Sequence, residues 1–599
     1  IRDWSVTGVQ TCALPISLEI FVFKMSGPNE YISGKEGDQF FNSIKWKSVD
    51  LSARSVYSPK AGGFTIMMPA VRVINRAYAL RSGILRHAIS ASDENGDLYF
   101  MFHSQVNDFR YIEEDTFELN YLSEVFAEEL KAKITRRSLV GPTELHFSIR
   151  KEERNIRLRI LIQGENYYMA GTTCTDSLKA EAYLNSLNTK AYTYSLPFEK
   201  HIDSTLYFTV KTVKNPSPYT SLTEQNRNNT KKSKKDETVF RPVTITRTYG
   251  NFETGEKLQV EFRKFSMYYQ MEHPDTFWRY QEVDLAGESN MIIRKNKPGF
   301  LRNDTIRDYL LVDTNSTRGI LVRKIQKCGV LYTLRAQIDT TQGQTPFVKS
   351  FFESFQPLDT CLGVDLYSDK IQPFFFDRIY SKDTLIRKQA FEAMEYVIGN
   401  LLDNQAPQTI KFIEHPEFKD LPYSDKQRFL IGLGRLKHDA VLPFYEKLYR
   451  SYADSSGLQL AILRGVARQR TEKSMKLFLK LLQTDLPVSS KTDEIERIFN
   501  TYHDTLELGA RLFPELLRYT KFPEYKTPVY HLMSELVMKG HLKPAQYKKF
   551  KSDILSDANY DLKIYLTSEG NEYRYYSRKF RSKGELGPEN TLDEEQLKI

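Results

Sequence analysis

The sequence predicts a multidomain chain in which two tandem α+β modules, each an antiparallel sheet with helices, precede an all-α HEAT-like helical repeat domain. Three observations carry this. A phrase of aromatic or aliphatic residues around a polar-Ser pair occurs three times, as Phe40-Phe41-Asn42-Ser43-Ile44, Tyr183-Leu184-Asn185-Ser186-Leu187 and Phe351-Phe352-Glu353-Ser354-Phe355. Each follows a strand-like run: Ile20-Phe21-Val22-Phe23, Asn166-Tyr167-Tyr168-Met169 and Val330-Leu331-Tyr332-Thr333-Leu334. The serines lie 143 and then 168 residues apart (43 to 186, 186 to 354), the size of a domain rather than of a solenoid repeat. Beyond residue 357 the strand signals stop and helical periodicity takes over. The chain is therefore expected to hold two complete copies of one module, the end of a third, and a helical stack.

Residues 18–46 read as the closing strand and helix of the truncated module. The first complete module, 47–200, opens with Gly62-Gly63-Phe64-Thr65-Ile66-Met67-Met68-Pro69, where a Gly pair releases the chain and Pro69 ends the run. Leu98-Tyr99-Phe100-Met101-Phe102 continues the β pattern. Over 115–133, Phe117, Tyr121, Leu122, Val125, Phe126 and Leu130 fall at helical intervals. Strands are expected at 144–149 and 156–162, the latter alternating Ile156, Leu158, Ile160 and Ile162 with Arg157, Arg159 and Leu161, before a helix over 178–187. The second module, 201–357, opens at Thr205-Leu206-Tyr207-Phe208-Thr209-Val210 and carries a polar inserted loop at 215–238. Strands are expected at 243–248, 258–262, 278–283, 320–323 and 330–334, with a closing helix at 347–355.

A linker, 358–380, leads into helices only. Asp383 is placed to cap a helix with Ile386, Ala390, Ala393, Met394 and Val397 on one face. Ser424-Asp425-Lys426-Gln427 is a capping-box spelling before Phe429, Leu430, Leu433 and Leu436. Further helices around 440–452, 458–469, 472–483, 493–507, 508–519, 527–539 and 544–556 fill a domain over 381–566, and a charged tail, 567–599, ends the chain. Pairing of such helices about every 35–45 residues is the basis for the HEAT-like expectation.

At 599 residues the chain is too long for one core, and a prior of about 150 residues per domain suggests three to five units. Aromatics make up 13%, with 36 Tyr and 37 Phe but 3 Trp, which leans toward sheet in the modules. No apolar run approaches the roughly 20 residues of a membrane-crossing helix, so a soluble chain is expected. The four cysteines, Cys12, Cys174, Cys328 and Cys361, form no CxxC pair; this excludes a Cys-rich zinc site or a disulfide scaffold and leaves one bridge open. The net charge of +9 comes from 85 basic against 76 acidic residues, too mild to imply nucleic acid without a local patch.

Catalytic spellings are missing from their required contexts: no HExxH, no GxSxG elbow, no phosphate loop after a strand. Gly432-Leu433-Gly434 sits in a helical pattern, where small residues allow close packing. The ten histidines are scattered without ligand spacing, and His438-Asp439 and His503-Asp504 fit hydrogen-bonding roles at helix ends. No catalytic residue, cofactor or metal is assigned. Lys231, Lys232, Lys234 and Lys235 read as a solvated loop. The terminal segment interleaves aromatics with Arg574, Arg578, Lys579, Arg581 and Lys583, a candidate for an anionic surface, although basic termini commonly have no such role. A protein partner on the concave face of the helical stack is the stronger expectation, with nucleic acid disfavoured and the oligomeric state open.

The stretch Phe21-Val22-Phe23-Lys24-Met25-Ser26-Gly27 to Phe40-Phe41-Asn42-Ser43-Ile44, with the Gly62-Gly63-Phe64 to Met68-Pro69 opening, resembles the C-terminal extension of long Bacteroidetes-type TraB/GumN-family proteins. The second opening, at 205–210, departs from that pattern by lacking the Gly pair. The resemblance implies a non-catalytic part of an exported, envelope-associated protein whose hydrolase-like domain lies elsewhere. Residues 1–17, which lack an initiator Met, look like translated sequencing-adapter read-through and are set aside as a probable-artefact segment, making the chain a fragment. The expected function is a scaffold or protein-interaction region; the alternative is an accessory or regulatory part of a TraB/GumN-type enzyme.

Overall fold

Two successive stretches of this chain fold to one topology. The computed structural model describes residues 8–16, 19–27, 29–45, 50–74, 85–213, 217–219, 242–289, 291–302, 304–490 and 492–567. These fall into two compact units: one runs to Asp365, and the other comprises the segment from Leu366 onward together with Ser266–Thr276.

In the first unit each module contains a seven-stranded antiparallel sheet. The first has the spatial order Val73–Ile74, Leu85–Ser92, Leu98–Gln105, Asn166–Thr172, Arg154–Gln163, Glu144–Lys151, Lys133–Gly141. The second has the same order from Ser217–Tyr219, Val243–Gly250, Lys257–Lys264, Val330–Asp339, Arg318–Lys327, Asp304–Val312 to Ile292–Leu301. A helix follows the third strand in chain order in both, Asp115–Glu129 and Pro274–Ser289. Each module also has a three-stranded sheet whose central strand opens the module: Gly63–Pro69 between Arg54–Tyr57 and Asn188–Lys190, and Phe208–Val213 between Phe198–Asp203 and Gln356–Pro357.

The recurring phrase acquires a physical reason here. Its first complete copy ends the helix Ser177–Asn185 and its second ends Pro346–Ser354. Ser186 Oγ accepts the amide of Met67 at 3.0 Å, and Ser354 Oγ accepts that of Lys211 at 2.7 Å, each three residues past the opening Phe64 or Phe208. The preceding strands repeat the pattern: Tyr168 and Tyr332 hydroxyls donate to the carbonyls of Gly63 and Tyr207. An arginine closes both modules. Arg159 grips Glu144 with Nε and Nη2 and donates Nη1 to Leu184 O at 2.9 Å; Arg323 does the same with Asp308 and Phe352 O. Lone helix-end carbonyls are thus satisfied by a cation, as the helix dipole favours.

The sequence reading needs three corrections. Residues 278–283 are helix, not strand: Phe277, Trp278, Gln281 and Leu285 are buried at helical spacing while Tyr280 and Val283 face out. The β-propensity of Trp, Tyr and Val is overridden by burial on one helical stripe. The second opening strand starts at Phe208, because Asp203 Oδ1 accepts the amides of Thr205 and Leu206 and makes a turn there. Tyr207 takes the positive φ of 56° that Gly63 (92°) supplies in the first module, so the missing glycine is a side-chain substitution and not a change of fold. Finally, Ser424 lies inside helix Tyr423–Leu433, which starts after Pro422 with no side-chain cap.

Near the start, Gly8–Ile16 pairs antiparallel with Glu19–Gly27, and Lys35–Asn42 is helical as expected. Cys328 and Cys361 form a disulfide with Cα atoms 5.4 Å apart, while Cys174 is buried and free.

The second unit is a two-layered helical array. Met394–Ile398, Tyr423–Leu433, Ser456–Arg468, Asn500–His503 and Pro523–Met538 touch in succession, and Ala406–Ile413, Val441–Ser451 and Glu472–Thr484 form a second row. Bonds between neighbours recur at one spacing: Glu414 to Lys447 (33 residues), Glu446 to Lys480 (34), Asp403 to Lys437 (34), Gly434 to Gln469 (35) and Asp504 to Arg470 (34). Asp383 caps its helix as expected, accepting the amides of Leu385 and Ile386. Gly432 and Gly434 let helices approach: a Cβ on Gly434 would stand 2.1 Å from Gly465 O, and one on Gly432 2.5 Å from the Ile398 side chain. Among the described residues no helix is long and apolar enough to cross a membrane.

Candidate functional site

The seam between the two sheet modules concentrates the buried polar chemistry of the first unit. Its anchor is Arg318, 2% exposed, at the start of a strand of the second module. Its Nε donates to Asp115, itself 0% exposed, at 2.8 Å; Nη1 reaches Glu118 at 2.9 Å and the Tyr167 hydroxyl; Nη2 donates to Glu113 O at 2.9 Å. The Asp115 carboxylate also accepts from Ser316 Oγ, Thr317 N and Thr317 Oγ1 at 2.7–2.8 Å. Four of the five guanidinium protons and both carboxylate oxygens of this buried pair have partners, the condition under which such a pair is tolerated.

Beside it runs a hydrogen-bond chain. Gln105 Nε2 donates to the Tyr192 hydroxyl and to Thr254 O, both at 2.9 Å; Tyr192 donates to Asn166 Oδ1 at 2.8 Å. His103 Nε2 lies 2.8 Å from the same oxygen. With Asn166 Oδ1 as acceptor, the His103 proton sits on Nε2 and Nδ1 is a bare acceptor, which has no partner. The ring stacks on His87 and on Tyr168, with centroids 5.5 and 4.7 Å apart. Burial pushes His103 down to about 3 and His87 down to about 4, the positive Arg86 adding to both, so each is neutral at physiological pH.

Two carboxylic acids face each other across the seam. Glu165 (7% exposed) comes from a hairpin turn of the first module, and Glu256 (2% exposed) from the second. Burial, then the charge of Glu256, pushes Glu165 up to about 7. Burial also raises Glu256, opposed by hydroxyl donors, including Tyr194 at 3.0 Å and Thr254 at 2.6 Å. Among the described residues, neither carboxyl makes an ion pair with a Lys, Arg or His. Both line a cavity of about 360 Å³ together with Asn166, Tyr192, Tyr194 and Asp339. An adjoining cavity of about 290 Å³ shares Tyr192 and Tyr194 and is walled by His87 and His103. Among the described residues no group of His, Cys, Asp and Glu is arranged to hold a metal ion.

The second unit offers a different surface. Tyr423, Val488 and Phe522 are exposed apolar residues on one edge of the array, Tyr423 opening the helix Tyr423–Leu433, Phe522 preceding Pro523–Met538, and Val488 bonded through its amide to Ser456 at the start of Ser456–Arg468. The edge is continuous. Gln427 donates to Gly457 O at 3.1 Å, the Val488 amide to Ser456 Oγ at 3.3 Å, and the Tyr525 hydroxyl to Pro487 O at 2.6 Å.

Arg574, Arg578, Lys579, Arg581 and Lys583, and the lysines of 231–235, lie outside the described residues. His438 Nδ1 accepts the Ala440 amide at 3.2 Å, a local hydrogen bond, and His503 Nδ1 lies 2.6 Å from Glu535 of another helix. The seam residues went unseen in the sequence. His87 and His103 become neighbours only through strand register, and Glu165 and Glu256 meet only when two modules 91 residues apart at these positions pack together.

No family model matches the chain, and no curated protein matches it. Among solved structures, similarity is found to the immunity protein TplEi of the T6SS from Pseudomonas aeruginosa, in complex with "L" peptide (12% identity, TM-score 0.13) and in its apo form (11%, 0.14). A Tle4–Tli4 complex is also similar (12%, 0.13). In each case 52% of this chain and 100% of the other are covered. At these scores the similarity says nothing about what this chain binds.

Proposed function

We propose that this chain is a non-catalytic interaction region of a larger bacterial protein, and that its helical unit is a HEAT-like stack on which a protein partner docks. The carrying observation is the spacing of 33–35 residues at which neighbouring helices of the array are bonded to one another, which supports a stack of helix pairs with a repeat shorter than the about 40–47 residues usual for HEAT. Contacts confined to the next repeat build a quasi-one-dimensional array, and such arrays offer extended binding surfaces. The exposed row of Tyr423, Val488 and Phe522 is a part of that surface with apolar side chains open to a partner. The Cys328–Cys361 bridge supports residence in an oxidising compartment, in keeping with export. The test is in-cell photo-crosslinking of the full chain with a photoreactive residue at position 488. One discrete adduct is expected; a smear equal to that from a control site at Leu555 would contradict the reading.

A further inference from the structure

We propose that the cavity between the two sheet modules is a binding site for a small organic cation bearing N–H donors, an ammonium or guanidinium group. It is independent of partner docking on the helical unit.

The seam leaves buried charge and hydrogen-bonding atoms unmatched. Glu165 and Glu256, from different modules, both line one cavity of about 360 Å³, and neither has a cationic partner among the described residues. A buried carboxylate without a cation is costly, and two that face one another repel, so one must hold a proton or the space between must take up positive charge. The unmatched atoms of the adjoining network are of both kinds, the acceptors His103 Nδ1 and Gln105 Oε1 beside the donors Arg86 Nε and Asn251 Nδ2. His103, 2% exposed and in the wall of the adjoining cavity, has a bare Nδ1; Gln105 Oε1 is likewise unpartnered. Asn107 Nδ2, an unpartnered donor in the first cavity, fits a ligand that also carries a carbonyl or hydroxyl, while Arg86 Nε, a second unpartnered donor, lines neither cavity. Tyr168, Tyr192 and Tyr194 add ring faces, which attract cations. Lys190 and Lys257 also line the space; burial and Arg86 push the Lys257 ammonium down, so the local field already disfavours a second cation on that side. The volume suits a molecule the size of an arginine side chain rather than a metal ion.

The group can arrive as a free amine or on the side chain of a peptide, and the experiment separates these. Calorimetry on the full chain at constant ionic strength uses agmatine, putrescine and Nα-acetyl-arginine amide, with tetramethylammonium as a cation lacking N–H donors. Saturable binding of at least one donor-bearing probe is expected, with none for tetramethylammonium. Agmatine without the acetyl-arginine amide points to a free amine; the reverse points to a peptide side chain. Glu165→Gln and Glu256→Gln should each weaken binding about tenfold or more, since each removes a charge-assisted hydrogen bond. Wild-type affinity should fall as pH is lowered from about 8 to 6, while the Glu165→Gln variant shows a flatter dependence. Circular dichroism confirms that both variants are folded. No saturable binding by any probe up to about 10 mM, the weak end for a fragment-sized ligand, overturns the proposal, as does binding unchanged in both variants.

Discussion

Ser186 and Ser354 accept a strand amide at equivalent places, and the arginines at 159 and 323 hold the ends of equivalent helices. These contacts explain the repetition of a short phrase across two modules of one topology. Ser354→Ala should cost about 1 kcal/mol, the net value of one hydrogen bond, and Arg323→Met about 2 kcal/mol, because its partner is charged. Urea titration followed by far-UV dichroism reads both; losses below about 0.3 kcal/mol would show the contacts to be incidental. Glu165 gives a pH prediction. Its folded pKa of about 7 stands above the ordinary 4.5, so the unfolded chain loses this proton first as pH rises. Stability is therefore lost between about pH 4.5 and 7 and level above. His103 and His87, held down at about 3 and 4, act in the opposite sense: their contribution is complete above pH 6.5 and is lost as pH falls through their folded values. Thermal midpoints of Glu165→Gln and wild type should diverge from pH 4.5 to 7, with the variant higher; a constant offset would refute the assignment. The recurring serines were legible in the sequence because a backbone need repeats with them. The acid pair was not, since nothing local marks two glutamates that meet only across a seam.

Elements with one dominant period were legible, and those with mixed signals were not. The alternation from Ile156 to Ile162 gave its strand because one face is buried at every second residue. The 278–283 segment carries Trp, Tyr and Val yet is helical, since its buried residues lie three to four apart on either side of the window read. Likewise Gly432 and Gly434 were read as packing residues, and the close approach of Gly434 to Gly465 supports this. Gly434→Ala places a methyl group 2.1 Å from the Gly465 carbonyl oxygen, where backbone and not a flexible side chain must move. The expected cost is about 1–3 kcal/mol, as for overpacking. Thermal unfolding should show it in the helical unit alone, and a neutral result would mean that the two helices do not approach this closely.

For the whole molecule, the sheet unit depends on a buried cross-module pair. Arg318→Met strands the Asp115 carboxylate with hydroxyl and amide donors but no cation, and should destabilise the sheet unit by about 3–5 kcal/mol. Hydrogen exchange should then rise in both modules; a rise confined to the second would show that they fold separately. Duplication was legible because each module repeats its own opening and close. How the modules face each other was not, because Arg318 finds Asp115 across 203 residues. The account stands most on the helical unit as a docking surface. The direct measurement is to place a photoreactive residue in turn at positions 423, 488 and 522 of the full chain, crosslink in the producing cell, and weigh the adducts. One common adduct mass from all three, lost when the other two positions are Asp, is the predicted result. Three unrelated adducts, or none, would contradict it.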